Sequence, residues 1–417
     1  MSKRVIIVGS GVVGLSTAYY SARRGFKVTV LERNSARRDG CSFGNAGMIV
    51  PSHFVPLAAP GMVALGFRWM WNPASPFYIK PRLDGDLFNW GLKFWRAATP
   101  QHVEQSAPLL RDLSFASREC FAELATLPGA NFGLVERGLL MLCQTQHGLD
   151  HEARFAARAN ALGVPAQVLS AKDTATLDPG ARMEIAGSVL FPKDCHLVPD
   201  RFLATVEQQC RALGVEFIFD APVTGWKPDG SRVAAVCTAL GEHEADEFVL
   251  CGGVWSDGLA RELGLRLPMQ AGKGYSLTLT KPRQLPRLCS ILSEARCAVT
   301  PMDGALRVGG TMEFAGLNDD INSVRVRGII DSFCRYFPDF IAADFDGIQP
   351  WRGLRPCSPD GLPYIGRTKR CANLSIATGH AMMGLSLGPI TGKLVTDILL
   401  GEKPAWDISL LAPDRYN

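Results

Sequence analysis

Residues 4–32 read as strand, glycine turn, helix, strand and acidic tip, an order that few folds can accommodate. Arg4-Val5-Ile6-Ile7-Val8 is a short apolar run suited to a buried parallel strand, and Gly9, Gly11 and Gly14 follow it in Gly-x-Gly-x-x-Gly spacing. Gly9 permits the tight turn. Gly11 lets backbone approach a phosphate, with Val12 and Val13 at the start of the helix, and Gly14 lets that helix pack on the sheet. The spacing predicts a helix over 12–24, ended by Gly25, whose first amides face an anion. Residues 27–31 form a second strand, and the Glu32 carboxylate at its tip accepts bonds from ribose hydroxyls. This is a dinucleotide site. An ordinary strand–helix turn is the rival reading, but it leaves Glu32 in register without a reason. Glu32 repels a 2′-phosphate, whereas Arg33 beside it leaves NADP as the lesser alternative.

A chain of 417 residues with 47% hydrophobic side chains and 42 glycines is long enough for two domains with their own cores. Its 44 basic and 40 acidic residues are interspersed and leave a net charge of only +4, which argues against nucleic acid as a partner. Twelve cysteines scatter from Cys41 to Cys371 without a Cys-x-x-Cys pair, and no secretory signal precedes the first strand, so a cytoplasmic protein with reduced thiols is expected. His147 and His151 flank Asp150 at helical spacing but lack a third ligand, so no metal is expected. The longest uncharged stretch, 373–392, reads as loop then buried helix rather than a membrane span. Tryptophans concentrate at 65–71 and 88–95 beside Arg68, Lys93 and Arg96. That pattern fits a helical lid packed on its own domain, and it also fits peripheral contact with a lipid interface, at the inner face of the cell membrane.

After Glu32 the stretch from Arg37 through Ser42, Phe43, Gly44, Asn45, Ala46 and Gly47 is basic and then small, which suits phosphates and a flat ring system. With these residues the chain resembles the flavin amino-acid oxidoreductases related to D-amino acid oxidase, and more closely the bacterial D-amino acid dehydrogenase group. Three further segments carry the likeness: Phe248-Val249-Leu250-Cys251-Gly252-Gly253, Lys273-Gly274-Tyr275-Ser276-Leu277, and Trp351-Arg352-Gly353-Leu354-Arg355-Pro356 with Pro359 to Gly366 and Ala377-Thr378-Gly379-His380. The resemblance implies an α/β fold in which a Rossmann-type FAD-binding domain (1–50, 195–265 and 350–417) is interleaved with an α+β substrate domain (51–194 and 266–349) dominated by an antiparallel sheet. It implies FAD held without a covalent bond. Ser42, Asn45, Ala46, Gly47, Gly252 and Gly253 are then cofactor contacts, and Val223 lies near the adenine.

Periodicity adds a helix over 105–127 as substrate-domain scaffold, a strand over 138–143, a helix over 151–162 stopped by Gly163, and a final helix over 385–400. Residues 233–238 and 247–250 are read as a strand pair with Gly241 in the turn, and strands are expected over 274–280, 298–300 and 306–310.

Oxidation of an amino acid needs its carboxylate clamped, and the planar fork of one arginine does this bidentately. Arg355 matches the family's carboxylate-binding position, while Arg352 is expected in a structural ion pair. Tyr275 is expected to add a bond to the carboxylate or shape the pocket, His380 to sit by the flavin or line the pocket, and His53 to lie within reach of the site. Amides around Gly384, Leu385 and Ser386 at a helix start would stabilise negative charge on reduced flavin. The implied reaction takes a hydride from the α-carbon of a D-amino acid, open-chain or cyclic such as D-proline or a hydroxy-D-proline, and passes the electrons to a quinone or respiratory-chain acceptor. The alternatives are a sarcosine- or glycine-oxidase-like enzyme that uses oxygen, and a non-catalytic flavin-binding subunit.

Overall fold

Val5, Ile6, Ile7 and Val8 are β-branched, favour extended backbone and are all buried, so Arg4–Val8 is a central strand. It pairs in parallel with Lys27–Leu31 on one side and with Glu247–Leu250 on the other. The computed structural model describes residues 2–70 and 75–417, so Trp71 of the aromatic excursion lies outside the described residues. The resulting six-stranded sheet runs Tyr364–Arg367, Leu374–Thr378, Glu247–Leu250, Arg4–Val8, Lys27–Leu31, Glu216–Ile218, and only the first strand is antiparallel to its neighbour.

Helices Val12–Arg23 and Gly384–Leu400 cover one face, where Leu15, Ala18, Tyr19, Leu387, Ile390 and Leu394 share a core with Leu110, Phe121 and Phe202. Leu110 and Phe121 belong to the helix Pro100–Ala125, which packs on Gly384–Leu400 and shares a core with Leu139, Met141 and Phe191 of the nine-stranded sheet as well. It begins five residues before the expected start, with Thr99 Oγ1 accepting from the His102 amide as N-cap. The helix expected over 151–162 likewise starts earlier, at Gln146, capped by Thr145.

The opposite face carries a correction. Strand Arg232–Thr238 does not pair with Glu247–Leu250; it sits between Val223–Asp229 and Gly241–Glu244 in a separate three-stranded antiparallel sheet. Val233, Val236 and Trp226 pack down onto Ile6, Phe248 and Ile376. Glu247–Leu250 is buried at every position, as a strand covered on both faces must be, whereas Arg232–Thr238 is only half apolar-in.

The second body is built on a nine-stranded sheet whose inner face roofs the cavity described below, while the helix Ser323–Tyr336 packs on its outer face through Ile329, Ile330 and Phe333. Gln270–Leu279 pairs with Ala305–Phe314 on one side and Trp351–Cys357 on the other. Trp351–Cys357 is therefore an edge strand of this sheet, although the boundary expected at 350 would assign it to the dinucleotide domain. Its alternating side chains, with Trp351, Gly353 and Arg355 on one face, match the pleat of Gln270–Leu279.

Candidate active site

A cavity of about 990 Å³ runs from the Gly9–Val13 turn, past Glu32, the 40–47 loop and Gly252–Trp255, to a chamber lined by His53, Arg355, His380, Gly384 and Leu385. At its adenosine end Gly9 has φ +103°, and a Cβ there would stand 2.7 Å from the Cys251 carbonyl oxygen. A Cβ on Gly14 would stand 1.9 Å from the Gly9 carbonyl oxygen, so Gly14 serves helix-to-turn packing and does not line the cavity. Gly11 at the N-cap of the helix Val12–Arg23 has no side chain to cap it, and the Val12 amide donates to Ser42 Oγ at 3.0 Å.

Glu32 is buried and held in place: its carboxylate accepts from the Ser10 amide (2.9 Å), Ser10 Oγ (2.6 Å) and the Asn34 amide (2.9 Å). A fixed anion at a cavity wall accepts hydroxyl donors and repels phosphate. Arg33 lies with its guanidinium 4.2 Å over the Trp255 ring, and Arg38 is paired with Glu207. This donor set fits the unphosphorylated ribose of FAD.

Small residues 42–47 form a ledge bonded to both bodies. Asn45 closes it internally, donating to the Ser42 carbonyl and accepting from the Gly47 amide, both at 2.7 Å. Ser276 Oγ donates to the Gly44 carbonyl at 2.8 Å, Thr300 Oγ1 to that of Ala46 at 2.7 Å and Arg307 to that of Asn45 at 2.9 Å. At the far end the helix Gly384–Leu400 starts without a capping side chain, which leaves its dipole directed at the cavity through Gly384 and Leu385. Ser386 does not line the cavity; its buried hydroxyl accepts from the Val50 amide at 3.0 Å. Val223 is also outside the lining, because it opens the three-stranded sheet on the far face.

Arg355 lies on the roof with Nη1 donating to the Thr311 carbonyl at 2.7 Å, and it makes no ion pair with any described residue. Its guanidinium occupies the space above Gly274, where a Cβ would meet it at 2.3 Å. Thr311, which sequence reasoning missed, has φ +72°, a strained conformation for a β-branched residue that turns its carbonyl to Arg355. Arg352 pairs with Asp39 at 2.7 Å and Asp319 at 3.1 Å, as the sequence reading expected.

Tyr275 lies along the cavity lining, but its side chain turns away from it. Its hydroxyl donates to Glu313 at 2.9 Å and accepts from the Asn322 amide at 3.2 Å, and its ring packs among Leu277, Ile329 and Phe333 behind the roof. A side chain on that face cannot bond a carboxylate held by Arg355: Tyr275 is the cross-strand partner of Arg352, and residues three apart on one strand face opposite ways. His380 lines the cavity, but its Nε2 donates to Thr391 Oγ1 at 3.0 Å, since the threonine proton goes to the Leu387 carbonyl. Burial pushes the His380 imidazole down to about 3, so it is neutral. His53 lines the same chamber, and burial with the nearby Arg296 cation lowers it to about 4. Among the described residues no three His, Cys, Asp or Glu side chains cluster as metal ligands, and all cysteines but Cys41, Cys237 and Cys334 are buried.

The aromatic excursion forms the cavity mouth. Helices Met62–Met70 and Gly85–Ala97 contribute Met62, Trp69, Phe88, Trp90 and Trp95 to its lining. Trp90 is anchored, its indole donating to the Cys357 carbonyl at 2.8 Å and its ring stacking on Phe94. Phe88 and Trp95, by contrast, are 76% and 62% exposed.

A dinucleotide cradle, a small-residue ledge and a roofed chamber on this sheet pair define an FAD enzyme, and residues 4–398 match the family described as DAO, FAD dependent oxidoreductase. The chain belongs to that family; it is an oxidoreductase and FAD is its cofactor. It is 33% identical over 422 residues to D-amino acid dehydrogenase of Bradyrhizobium diazoefficiens and 34% identical over 423 residues to that of Methylobacterium radiotolerans, with 99% of each chain covered in both cases. Among solved structures it is similar in fold to glycine oxidase from Geobacillus kaustophilus, with a TM-score of 0.79, 22% identity and all of both chains covered. L-proline dehydrogenase from P. horikoshii gives 0.74 at 16% identity, covering 100% of this chain and 98% of that one.

Proposed function

We propose that the protein is a D-amino acid dehydrogenase in which Arg355 clamps the substrate carboxylate. The observation that carries the reading is a roof guanidinium with no carboxylate partner among the described residues, pinned by Thr311 over a glycine. A planar cation held on one edge presents its remaining N–H groups as a fork for a planar anion. Bound FAD supplies the two-electron sink for the hydride leaving the α-carbon. The chain holds the carboxylate at Arg355, excludes water with Trp90, Phe94 and Phe314, and surrounds the amine with neutral His53 and apolar Met48 and Ile291. Among the described residues no strong protein base lines the chamber, so the amine reacts in its neutral form. An open-chain substrate yields an imine that water converts to a 2-oxo acid and ammonia; D-proline or a hydroxy-D-proline yields a cyclic imine.

The relatives' names favour a dehydrogenase over the oxygen-using, glycine-oxidase-like alternative. The exposed Phe88 and Trp95 beside the mouth, with Leu83 fully exposed near them, suit an apolar quinone or a lipid surface at the inner face of the cell membrane. Cys41 faces the cavity with its thiol pushed up by burial, which suits non-covalent FAD.

An anaerobic visible spectrum before and after adding D- and L-alanine, D- and L-proline, 4-hydroxyproline isomers, sarcosine and glycine tests the reading. Bleaching by D-isomers alone is expected. Bleaching by L-isomers or sarcosine alone overturns it, and reoxidation by oxygen as fast as by a quinone analogue overturns the dehydrogenase assignment.

A further inference from the structure

In the chamber that Arg355 lines, three side chains from two distant parts of the chain form a hydrogen-bonded series that ends in the cavity. Asp194 is fully buried; its Oδ1 accepts from the Ser52 amide at 3.0 Å and its Oδ2 from Ser52 Oγ at 2.5 Å. Ser52 Oγ is also 3.0 Å from His53 Nδ1. A hydroxyl has one proton, and here it is directed to the carboxylate, so toward His53 the serine oxygen is an acceptor. The imidazole proton therefore resides on Nδ1. Nε2 carries a lone pair, and it has no bond to any described residue while the ring lines the cavity.

We propose that His53 receives an N–H of the substrate amine at Nε2, and that Ser52 and Asp194 are positioning residues that keep this nitrogen an acceptor. The inference rests on the amino-acid reading above. Its chemical point is the amine lone pair. Loss of hydride from the α-carbon requires that pair to enter the forming C=N bond. An acceptor at the amine binds N–H and leaves the pair free, whereas a donor would tie it up.

The groups acting on this series come from several elements. Arg296, in the turn between strands Cys289–Leu292 and Cys297–Met302, faces His53 and opposes imidazolium. Arg118 of the helix Pro100–Ala125 favours ionised Asp194, and the thiols of Cys195 and Cys289 lie near it. Burial outweighs these and raises the Asp194 carboxyl to about 7. As pH falls through that value Asp194 gains a proton and donates to Ser52 Oγ; the serine hydroxyl then donates to Nδ1, whose own proton is lost to solvent while Nε2 takes one up. Nε2 then becomes the donor, so the bleaching rate is lost on the acid side.

Asp194→Asn tests the series, because its amide donates to Ser52 Oγ at every pH and should leave the proton on Nε2. In the holoenzyme at pH 9, above the Asp194 value, ¹⁵N chemical shifts of the histidine rings should place the His53 proton on Nδ1 in the wild type and on Nε2 in the variant. Flavin bleaching by the best D-amino acid should slow on the order of 100-fold, and its inflection near pH 7 should vanish. Tetrahydrofuran-2-carboxylate of D configuration has an ether oxygen in place of the amine and accepts only. It should bind the variant about tenfold more tightly, a gain that a damaged fold cannot produce. A wild-type proton on Nε2, or a variant with unchanged rate and unchanged ether affinity, overturns the inference while wild-type bleaching keeps the amino-acid reading. A wild type that no D-amino acid bleaches overturns both. Should Asp194→Asn fail to fold, Ser52→Ala breaks the same link, and equal bleaching rates for Ser52→Ala and wild type overturn the inference.

Discussion

Arg355 has its reach limited by what lies on either side of it. Thr311 takes one N–H and Gly274 leaves no side chain beneath, so the guanidinium lies flat against the roof. Arg355→Lys keeps the charge and loses the fork. It should lower kcat/KM for D-amino acids about 100-fold, equivalent to about 2.7 kcal/mol, with FAD content unchanged, as steady-state kinetics and the flavin-to-protein absorbance ratio will show. Tyr275 gives the contrasting expectation. Tyr275→Phe removes a hydroxyl bonded to Glu313 and Asn322 behind the roof. Stability should fall by about 1–2 kcal/mol in urea titration while KM stays within twofold. A rise in KM without a stability change would show that the Tyr275 hydroxyl reaches the substrate. The place of Arg355 in the cavity lining was legible because it belongs to a local, strongly patterned segment, Gly353-Leu354-Arg355-Pro356, which the structure shows as strand and not turn. Thr311 was not, since nothing local signals a positive φ at a β-branched residue. Nor were Ser52 and Asp194, which meet across 142 positions of chain.

Among the elements, the helices Val12–Arg23 and Gly384–Leu400 make the tightest junction near the cofactor. A Cβ on Gly392 would come 2.5 Å from the Ser16 backbone, and one on Gly388 would come 2.6 Å from Val12. Both helices begin at the cavity. Gly392→Ala should therefore destabilise the protein by about 1–3 kcal/mol and weaken FAD binding together, checked by urea midpoint and by fluorescence of released FAD. A variant as stable as wild type would show that the backbones part at little cost. The first strand, helix and strand were readable because their periodicity and caps are local. The partners of Arg232–Thr238 and Trp351–Cys357 were not, because strand pairing is decided by which apolar face meets which sheet. The helix Pro100–Ala125 was readable in extent but not in allegiance, since the same stripe of leucines and phenylalanines serves any apolar surface.

Over the whole molecule, buried titratable groups set the response to acid. His53, His196 and His380 are all lowered from 6.5, to about 4, 4 and 3, chiefly by burial. Above pH 6.5 both folded and unfolded chains hold them neutral. Below it the unfolded chain takes protons that the folded chain refuses, so each removes about 1.4 kcal/mol of stability per pH unit until its folded value is reached. Asp194, raised to about 7, acts oppositely between 7 and 3.8, where the folded chain holds the extra proton. Three groups against one leave a net loss on acidification. The urea midpoint of the holoenzyme at fixed FAD should fall steadily from pH 6.5 to pH 4.5, and a flat midpoint would show that these histidines open to solvent.

The 42–47 ledge belongs to the dinucleotide domain by sequence and to the substrate sheet by its bonds from Ser276, Thr300 and Arg307. It works as a shared hinge leaf rather than a lining. The floor and the roof of the chamber are thus aligned by one short peptide, and neither body could be excised or exchanged with a relative's without carrying the other's alignment away with it.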